Sequence, residues 1–289
     1  MKRILVTGIN SYIGNSFRSY MENFLEYEVT GLSVRNDAWK VFDLSKYDSV
    51  FHVAGIAHAD VDKVSRDEKQ RYYNINTVLT VELAKASKAA GVKQFIFMSS
   101  SIVYGNSSPI GQSKMIGAET PVHPSNFYGD SKVQAENGLR GLEDKYFKVV
   151  ILRPPMIYGR GSKGNYEILS KLACKLPVFP KVKNQRSMLY VGNLVEFVRL
   201  MIENEERGTF WPANAEHSDI SQLVKMVADV KGKRILIIPG FVWLLKILSH
   251  FTGTVNKAFG SLAYDISLSE YKVVYRRYSL DESIKETEG

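Results

Sequence analysis

Arg3-Ile4-Leu5-Val6-Thr7-Gly8-Ile9-Asn10-Ser11-Tyr12-Ile13-Gly14 opens the chain and decides its fold. Arg3–Thr7 is an apolar run of strand length that stops at a glycine, and a helical pattern over Asn15–Phe24 follows it. A glycine-containing turn between a strand and a helix aims backbone N–H groups and a helix N-terminus outward, where they can cradle a pyrophosphate. Gly8 supplies the tight turn and Gly14 lets the helix pack closely on the strand, with Asn10, Ser11, Tyr12 and Ile13 lining the turn. Ser11 replaces the middle glycine of a full dinucleotide fingerprint, so position after the first strand carries the reading.

Outward from this motif, strand-like runs recur at Glu28–Leu32, Ser49–Ala54, Gln94–Met98 and Lys148–Leu152. Helical stretches at Glu68–Ala90 and Asn126–Leu142 lie between them. Buried strands alternating with helices predict an α/β fold, a doubly wound parallel sheet with helices on both faces. The interval Arg35–Lys46 is too short for a crossover helix, which leaves a loop with a short strand around Val41–Phe42. The second half, punctuated by Pro154-Pro155, Pro177 and Pro180, has a less regular rhythm. Its strands are expected at Met188–Val191 and Arg234–Ile238, and its helices at Gly192–Ile202 and Ser218–Val230. The expected division is a dinucleotide-binding domain over residues 1–158 plus about 187–212, and a smaller α/β lobe over 159–186 and 213–289 that binds substrate. The polar end, Ser283–Gly289, is expected to fray.

The chain has 289 residues, 45% of them apolar, enough for one large domain or two modest ones. Its single cysteine, Cys174, excludes an intramolecular disulfide, suits a cytoplasmic location and reads as a packed helix residue. The opening residues run straight into a strand, so no secretory leader is expected, and no membrane span is expected because no apolar run nears roughly 20 residues. Phe241–Phe251 reads as an amphipathic helix with a core face; membrane-surface attachment is the weaker reading. The formal charge is +8. Basic residues are spread along the chain without an arginine-rich arm or a nucleic-acid motif, so nucleic acid is not an expected partner. Steering of an anionic nucleotide ligand accounts for the charge.

The second strand ends Leu32-Ser33-Val34-Arg35. The acid that would hold the ribose of NAD is absent, Ser33 stands near its place, and Arg35 suits a 2′-phosphate, which favours NADP over NAD. Asp43-Leu44 falls where an adenine edge could sit. The third strand ends in Ala54-Gly55, small enough for backbone to pass beneath a cofactor. His52 and His58 are better read as structural. No His/Cys/Asp/Glu cluster has metal-ligand spacing, so no metal is expected. Met98-Ser99-Ser100-Ser101 ends the fourth strand with hydroxyls. Tyr128 and Lys132 are four residues apart and share a helix face. The lysine ammonium is expected to lower the tyrosine pKa and make it a usable acid/base.

Taken in order, Thr7-Gly8-x-x-x-x-x-Gly14, Asp43, Ala54-Gly55, Asn74, Ser99-Ser100-Ser101-x-Val103-Tyr104-Gly105, Tyr128-x-x-x-Lys132 and Arg153-Pro154-Pro155-x-x-Tyr158-Gly159 resemble the extended short-chain dehydrogenase/reductases, in their nucleotide-sugar epimerase/dehydratase branch. The resemblance is dense from Lys2 to about Asn193 and fainter beyond, where Thr252-Gly253 and Phe259–Leu262 extend it. It implies Tyr128 as acid/base, Lys132 as the ribose-binding residue that tunes it, and Ser100, four residues before the Val-Tyr-Gly tyrosine, as the catalytic hydroxyl. Asn74, Met98, Pro155 and Ile157 would lie against the cofactor. Ser100, Ser101, Tyr104, Asn165 and Arg186 would contact the sugar nucleotide, Arg186 through its diphosphate. Sugar 4,6-dehydratases of the family carry Asp-Glu where this chain has Ser101-Ile102, which excludes that reaction.

The expected activity is therefore NAD(P)-dependent redox chemistry at C4 of a UDP-hexose, as a 4-epimerase or a 4-ketoreductase. Many epimerases have Asn at the position of Met156. A UDP-sugar is the expected ligand, membrane insertion is not expected, and a homodimer is admitted. The rival is a catalytically silent NADP-binding regulatory protein of the same fold. Such proteins commonly lose the tyrosine or the lysine, and this chain keeps both.

Overall fold

The computed structural model describes residues 1–57, 64–251 and 253–289. His58 and Thr252 lie outside the described residues. The chain divides into two compact units. The first comprises Met1–Gly105, Val122–Pro154 and Val195–Phe210; the second comprises Asn106–Pro121, Pro155–Leu194 and Trp211–Gly289. Residues 106–121, 155–158, 187–194 and 211–212 thus belong to the second unit.

The first unit is built on a six-stranded parallel sheet. Its strands are β1 (Lys2–Thr7), β2 (Tyr27–Leu32), β3 (Ser49–His52), β4 (Gln94–Met98), Lys148–Leu152 and Gly208–Phe210, and the spatial order is β2, β1, β3, β4, then the last two. β3 and β4 are buried at every position, as strands covered on both faces must be. The helices are α1 (Tyr12–Met21), α2 (Arg66–Tyr73), α3 (Leu79–Ala89) and α4 (Phe127–Arg140). Leu5, Val50, Leu83, Phe95, Phe97, Ala135, Leu139 and Val149 form one core between sheet and helices. The chain leaves β1 on one side for β2 and returns on the other as β3, so the carboxyl ends of β1 and β3 flank a topological switch point, where open α/β sheets bind ligands.

Two expectations change in this unit. Val41–Phe42 is not a strand: Asp37–Val41 and Leu44–Lys46 are 3-10 turns, capped by Asn36 and Asp43. Short polar caps compete locally with strand pairing. The predicted helix Glu68–Ala90 is interrupted at Asn74–Val78 by a π turn between α2 and α3, which rotates the residues that follow.

The second unit holds three two-stranded parallel pairs: Met156–Tyr158 with Met188–Tyr190, Val178–Pro180 with Leu236–Ile238, and Met115–Ile116 with Ala263–Tyr264. Helices Asn165–Lys175 and Ile220–Val230 pack Tyr166, Leu169, Leu223, Val224 and Val227 into its core with Tyr158 and Phe179. The chain end does not fray. Leu280–Glu288 is a helix with a capping box formed by Ser279 and Glu282, and it buries Leu280, Ser283, Ile284 and Glu288. The three-to-four-residue spacing of those positions gave this polar segment a buried face. Cys174 is on a helix as expected, but on its exposed side.

Candidate active site

The turn after β1 is shaped for close backbone approach. Gly8 adopts φ +75°, and a Cβ there would lie 2.9 Å from the Ala54 nitrogen. A Cβ on Gly14 would lie 2.8 Å from the Gly8 carbonyl. Any side chain at either position would strike these neighbouring atoms. Ser11 caps α1, its hydroxyl accepting from the Gly14 N–H at 3.0 Å, so the replaced glycine now holds the helix start. Asn10 is exposed, and Ser11, Tyr12 and Ile13 are half-buried along this turn.

The helix α4 presents three residues on one face at steps of four: Tyr128, Lys132 and Glu136. Each meets one residue of the β4 end. The Tyr128 hydroxyl lies beside the Ser100 hydroxyl, the Lys132 ammonium donates to the Met98 carbonyl at 2.9 Å, and the Ser99 hydroxyl donates to Glu136 at 2.6 Å. Asn126 starts α4 by accepting from the Gly129 N–H at 2.9 Å. Beneath this contact, Arg153 clamps Glu136 with two hydrogen bonds, Nε to Oε1 at 3.0 Å and Nη2 to Oε2 at 2.6 Å. Its Nη1 donates to the Tyr104 hydroxyl at 2.7 Å. Ser101 donates its N–H to the Pro154 carbonyl at 2.9 Å, tying the serine turn to the same strand end.

Burial sets the titration of this site. Tyr128 is pushed up to about 12, chiefly by burial, against the lowering effect of the Ser100 hydrogen bond. Lys132 is pulled down to about 8 by burial, with Glu136 opposing. The expected lowering of Tyr128 by Lys132 is not what the structure shows. The ammonium is turned to the Met98 carbonyl and lies 4.7 Å from the centre of the Phe97 ring, and desolvation of the phenol dominates. Tyr128 therefore holds its proton at neutral pH. His52 is structural, as expected: it bridges Thr7 at 2.7 Å and Thr80 at 2.9 Å, and burial holds it down at about 3.

The structure corrects the asparagine. Asn74 is exposed and accepts from Gln70 at 3.1 Å. The π turn instead buries Asn76, whose amide accepts from the Ile56 N–H at 2.8 Å and donates to the Ile56 carbonyl and the Ser131 hydroxyl, both at 3.1 Å. A Cβ on Gly55 would lie 3.1 Å from the Asn76 carboxamide oxygen and 3.3 Å from the Lys132 ammonium, so these groups converge on one spot beside β3. Asparagine spacing alone could not separate 74 from 76. Glu136, by contrast, is visible as the next position on the Tyr128–Lys132 face, and sequence reasoning passed over it.

The remaining positions fall as follows. Ser33 and Arg35 are exposed after β2. Asp43 caps a turn by accepting from the Ser45 N–H at 3.1 Å, and Leu44 points into the core, which takes its side chain away from any ligand. Tyr104 is buried against Arg153 rather than presented as a contact residue. In the second unit, Pro155 is buried, Ile157 is half-buried in its strand pair, and Asn165 is exposed at a helix start. Arg186 is half-buried, exchanges both backbone hydrogen bonds with Ser218, and donates from Nη1 to the Ala258 carbonyl at 2.8 Å. Among the described residues no group of His, Cys, Asp and Glu could hold a metal ion.

Residues 4–211 match the model of the NAD dependent epimerase/dehydratase family. A UDP-glucose 4-epimerase of Vibrio cholerae is 28% identical over 99% of this chain and 94% of its own length. An N-acetyl-alpha-D-glucosaminyl-diphospho-ditrans,octacis-undecaprenol 4-epimerase of Escherichia coli O157:H7 is 33% identical over 66% of this chain and 57% of its own length. Among solved structures, UDP-glucuronic acid 4-epimerase from Bacillus cereus in complex with NAD superposes with a TM-score of 0.73, 20% identity and coverage of 98% and 96% of the two chains. A dTDP-4-dehydrorhamnose reductase from Clostridium acetobutylicum gives 0.74, 18%, and 99% and 98%. The likeness to these structures extends to the fold, an α/β Rossmann-like parallel sheet flanked by helices. The chain belongs to the NAD dependent epimerase/dehydratase family.

Proposed function

We propose that this chain is an NAD(P)-dependent enzyme that exchanges hydride at C4 of a UDP-hexose, with Tyr128 as acid/base, Ser100 as its hydrogen-bonding partner and Lys132 as the cation beside them. The reading is carried by one arrangement: the end of β4 holds Ser100 on the Tyr128 hydroxyl and the Met98 carbonyl on Lys132, next to Gly55. Support for a dinucleotide comes from the turn itself: a Cβ on Gly8 or Gly14 would strike neighbouring atoms, so both positions keep the bare backbone that a pyrophosphate-binding turn needs. The Gly8–Gly14 turn would hold the pyrophosphate, with Ser33 and Arg35 at the adenosine ribose and Lys132 at the nicotinamide ribose. A bound nicotinamide would supply the hydride acceptor and donor.

Tyr128, protonated at neutral pH, donates its proton to the C4 oxygen when the 4-keto sugar is reduced. In the opposite direction Tyr128 first gives its proton to solvent, and the phenolate, stabilised by the Ser100 hydroxyl, then takes the C4 hydroxyl proton as hydride leaves C4. Arg186 binds the diphosphate, a task suited to a permanently charged, forked guanidinium. An epimerase runs both directions on one sugar; a 4-ketoreductase runs only the reduction. Ser101-Ile102 supplies neither the acid nor the base for eliminating water, so 4,6-dehydration is not proposed.

Proton NMR of three incubations tests this reading. The first holds UDP-galactose and UDP-N-acetylgalactosamine with catalytic cofactor, and the second a UDP-4-keto-6-deoxy sugar with excess NADPH. Interconversion in the first establishes an epimerase; stoichiometric NADPH oxidation in the second alone establishes a ketoreductase. A third, with a polyprenyl diphosphate-linked N-acetylhexosamine, addresses a second carrier, favoured by the relative that acts on an undecaprenol-linked sugar. No change at C4 in any incubation overturns the proposal.

A further inference from the structure

Basic residues are spread along the chain, but acidic ones are not. Two stretches of the second unit, residues 168–194 and 230–264, contain ten Lys and Arg and no Asp or Glu. The remainder of the chain holds twenty-eight basic and thirty acidic residues, so the whole positive excess arises from these two stretches.

Folding joins them. Strands Val178–Pro180 and Leu236–Ile238 pair in parallel with Val178 opposite Leu236. The helix Val242–Phe251 sets Val242 and Leu245 on the same core cluster as Phe179 and Ile237. What remains outside is apolar: Leu176, Val178, Leu236, Phe241, Trp243 and Ile247 are each between 37% and 67% exposed. Trp243 and Ile247 lie one turn apart on one helix face. Lys175, Lys181, Lys183, Lys233, Arg234 and Lys246 are exposed in the same segments. Glu167 pairs with Lys171 and Glu288 with Lys231 from outside the stretches. Within them no carboxylate offsets the rest.

We propose that this face of the second unit docks on the surface of an anionic phospholipid bilayer. Its aromatic and aliphatic side chains enter the headgroup region, and its lysines and arginine meet lipid phosphates. The charge pattern selects the occupant. A second copy would set the same net-positive segments against themselves, whereas an anionic bilayer offers negative charge and apolar depth together. Tryptophan and lysine are the residues that favour such an interface. No helix among the described residues is long and apolar enough to cross a membrane. The inference does not rest on C4 chemistry.

The test is co-sedimentation of the full chain with phosphatidylcholine vesicles and with mixed phosphatidylcholine/phosphatidylglycerol vesicles, at low and high salt. Binding should be at least about tenfold tighter on the anionic vesicles and weaken with salt. Lys233→Glu/Arg234→Glu and Trp243→Ser/Ile247→Ser should each lower it about tenfold or more while leaving the melting temperature and cofactor affinity unchanged. Lys181→Glu/Lys183→Glu provides an independent surface variant with the same expected loss. Equal binding to both vesicle types, binding to neither, or wild-type binding by these variants overturns the proposal. So does a dimer in sedimentation velocity that Trp243→Ser/Ile247→Ser dissolves, which would assign the face to a second copy.

Discussion

Replacing Glu136 by alanine should cost the first unit about 5 kcal/mol. Glu136 is fully buried, and the Arg153 side chain it clamps is only 7% exposed. Removing one partner of a buried ion pair strands the other charge, at about 3–5 kcal/mol. The Ser99 hydroxyl loses its acceptor as well, worth about another 1 kcal/mol. Arg140, which also donates to Glu136, is partly solvated and adds little. Urea unfolding, followed by Trp39 fluorescence in a Trp211→Phe/Trp243→Phe background, reads the core in which Trp39 is buried. With a slope of about 2–3 kcal/mol per molar, the midpoint should fall by about 2 M. Glu136→Leu combined with Arg153→Met removes both charges and should recover most of the loss. A single-variant loss under about 1 kcal/mol, or a double variant no better than the single, would refute this account of how α4 is held.

Burial holds Lys132 at about 8 against an ordinary 10.5. Between those values the unfolded chain binds more protons, so stability rises with pH through that window, and below it the charged lysine costs the fold. Lys132→Met should therefore gain about 1–3 kcal/mol at pH 7, flatten the slope between pH 8 and 10.5, and abolish turnover; a loss at pH 7 would count against it. Arg35→Asp should shift the NADPH-to-NADH preference about tenfold or more toward NADH, as read from the ratio of kcat/KM values, and an unchanged ratio would show that Arg35 does not read the 2′-phosphate. Asn76→Ala should lower the melting temperature and increase hydrogen exchange at the Ile56 amide, whereas Asn74→Ala should do neither.

The sheet was legible because its strands, buried on both faces, read as near-continuous apolar runs; Gln94–Met98 and Lys148–Leu152 match residue for residue. That Tyr128 and Lys132 share a helix face is legible from their four-residue spacing, whereas only the family resemblance singles out Ser100 among the three serines. What escaped depends on distant partners. The π turn that exchanges Asn74 for Asn76 changes helical phase without a distinctive residue. The role of Tyr104 follows from Arg153, forty-nine positions away in the chain. The pKa of Tyr128 follows from burial, which helix spacing does not report. The ordered C-terminal helix was a misreading of polar composition, since Leu280, Ile284 and Ser279/Glu282 already carried a stripe and a cap.

The central claim is that hydride moves at sugar C4 under the control of Tyr128. A UDP-hexose deuterated only at C4, incubated with oxidised cofactor and followed by mass spectrometry of the cofactor, tests it most directly. An epimerase, and a ketoreductase run in reverse, must both place deuterium on the nicotinamide, and Tyr128→Phe should slow that transfer by at least about a hundredfold while leaving cofactor affinity intact. Cofactor that stays unlabelled, or transfer at a near-normal rate in Tyr128→Phe, would contradict the account.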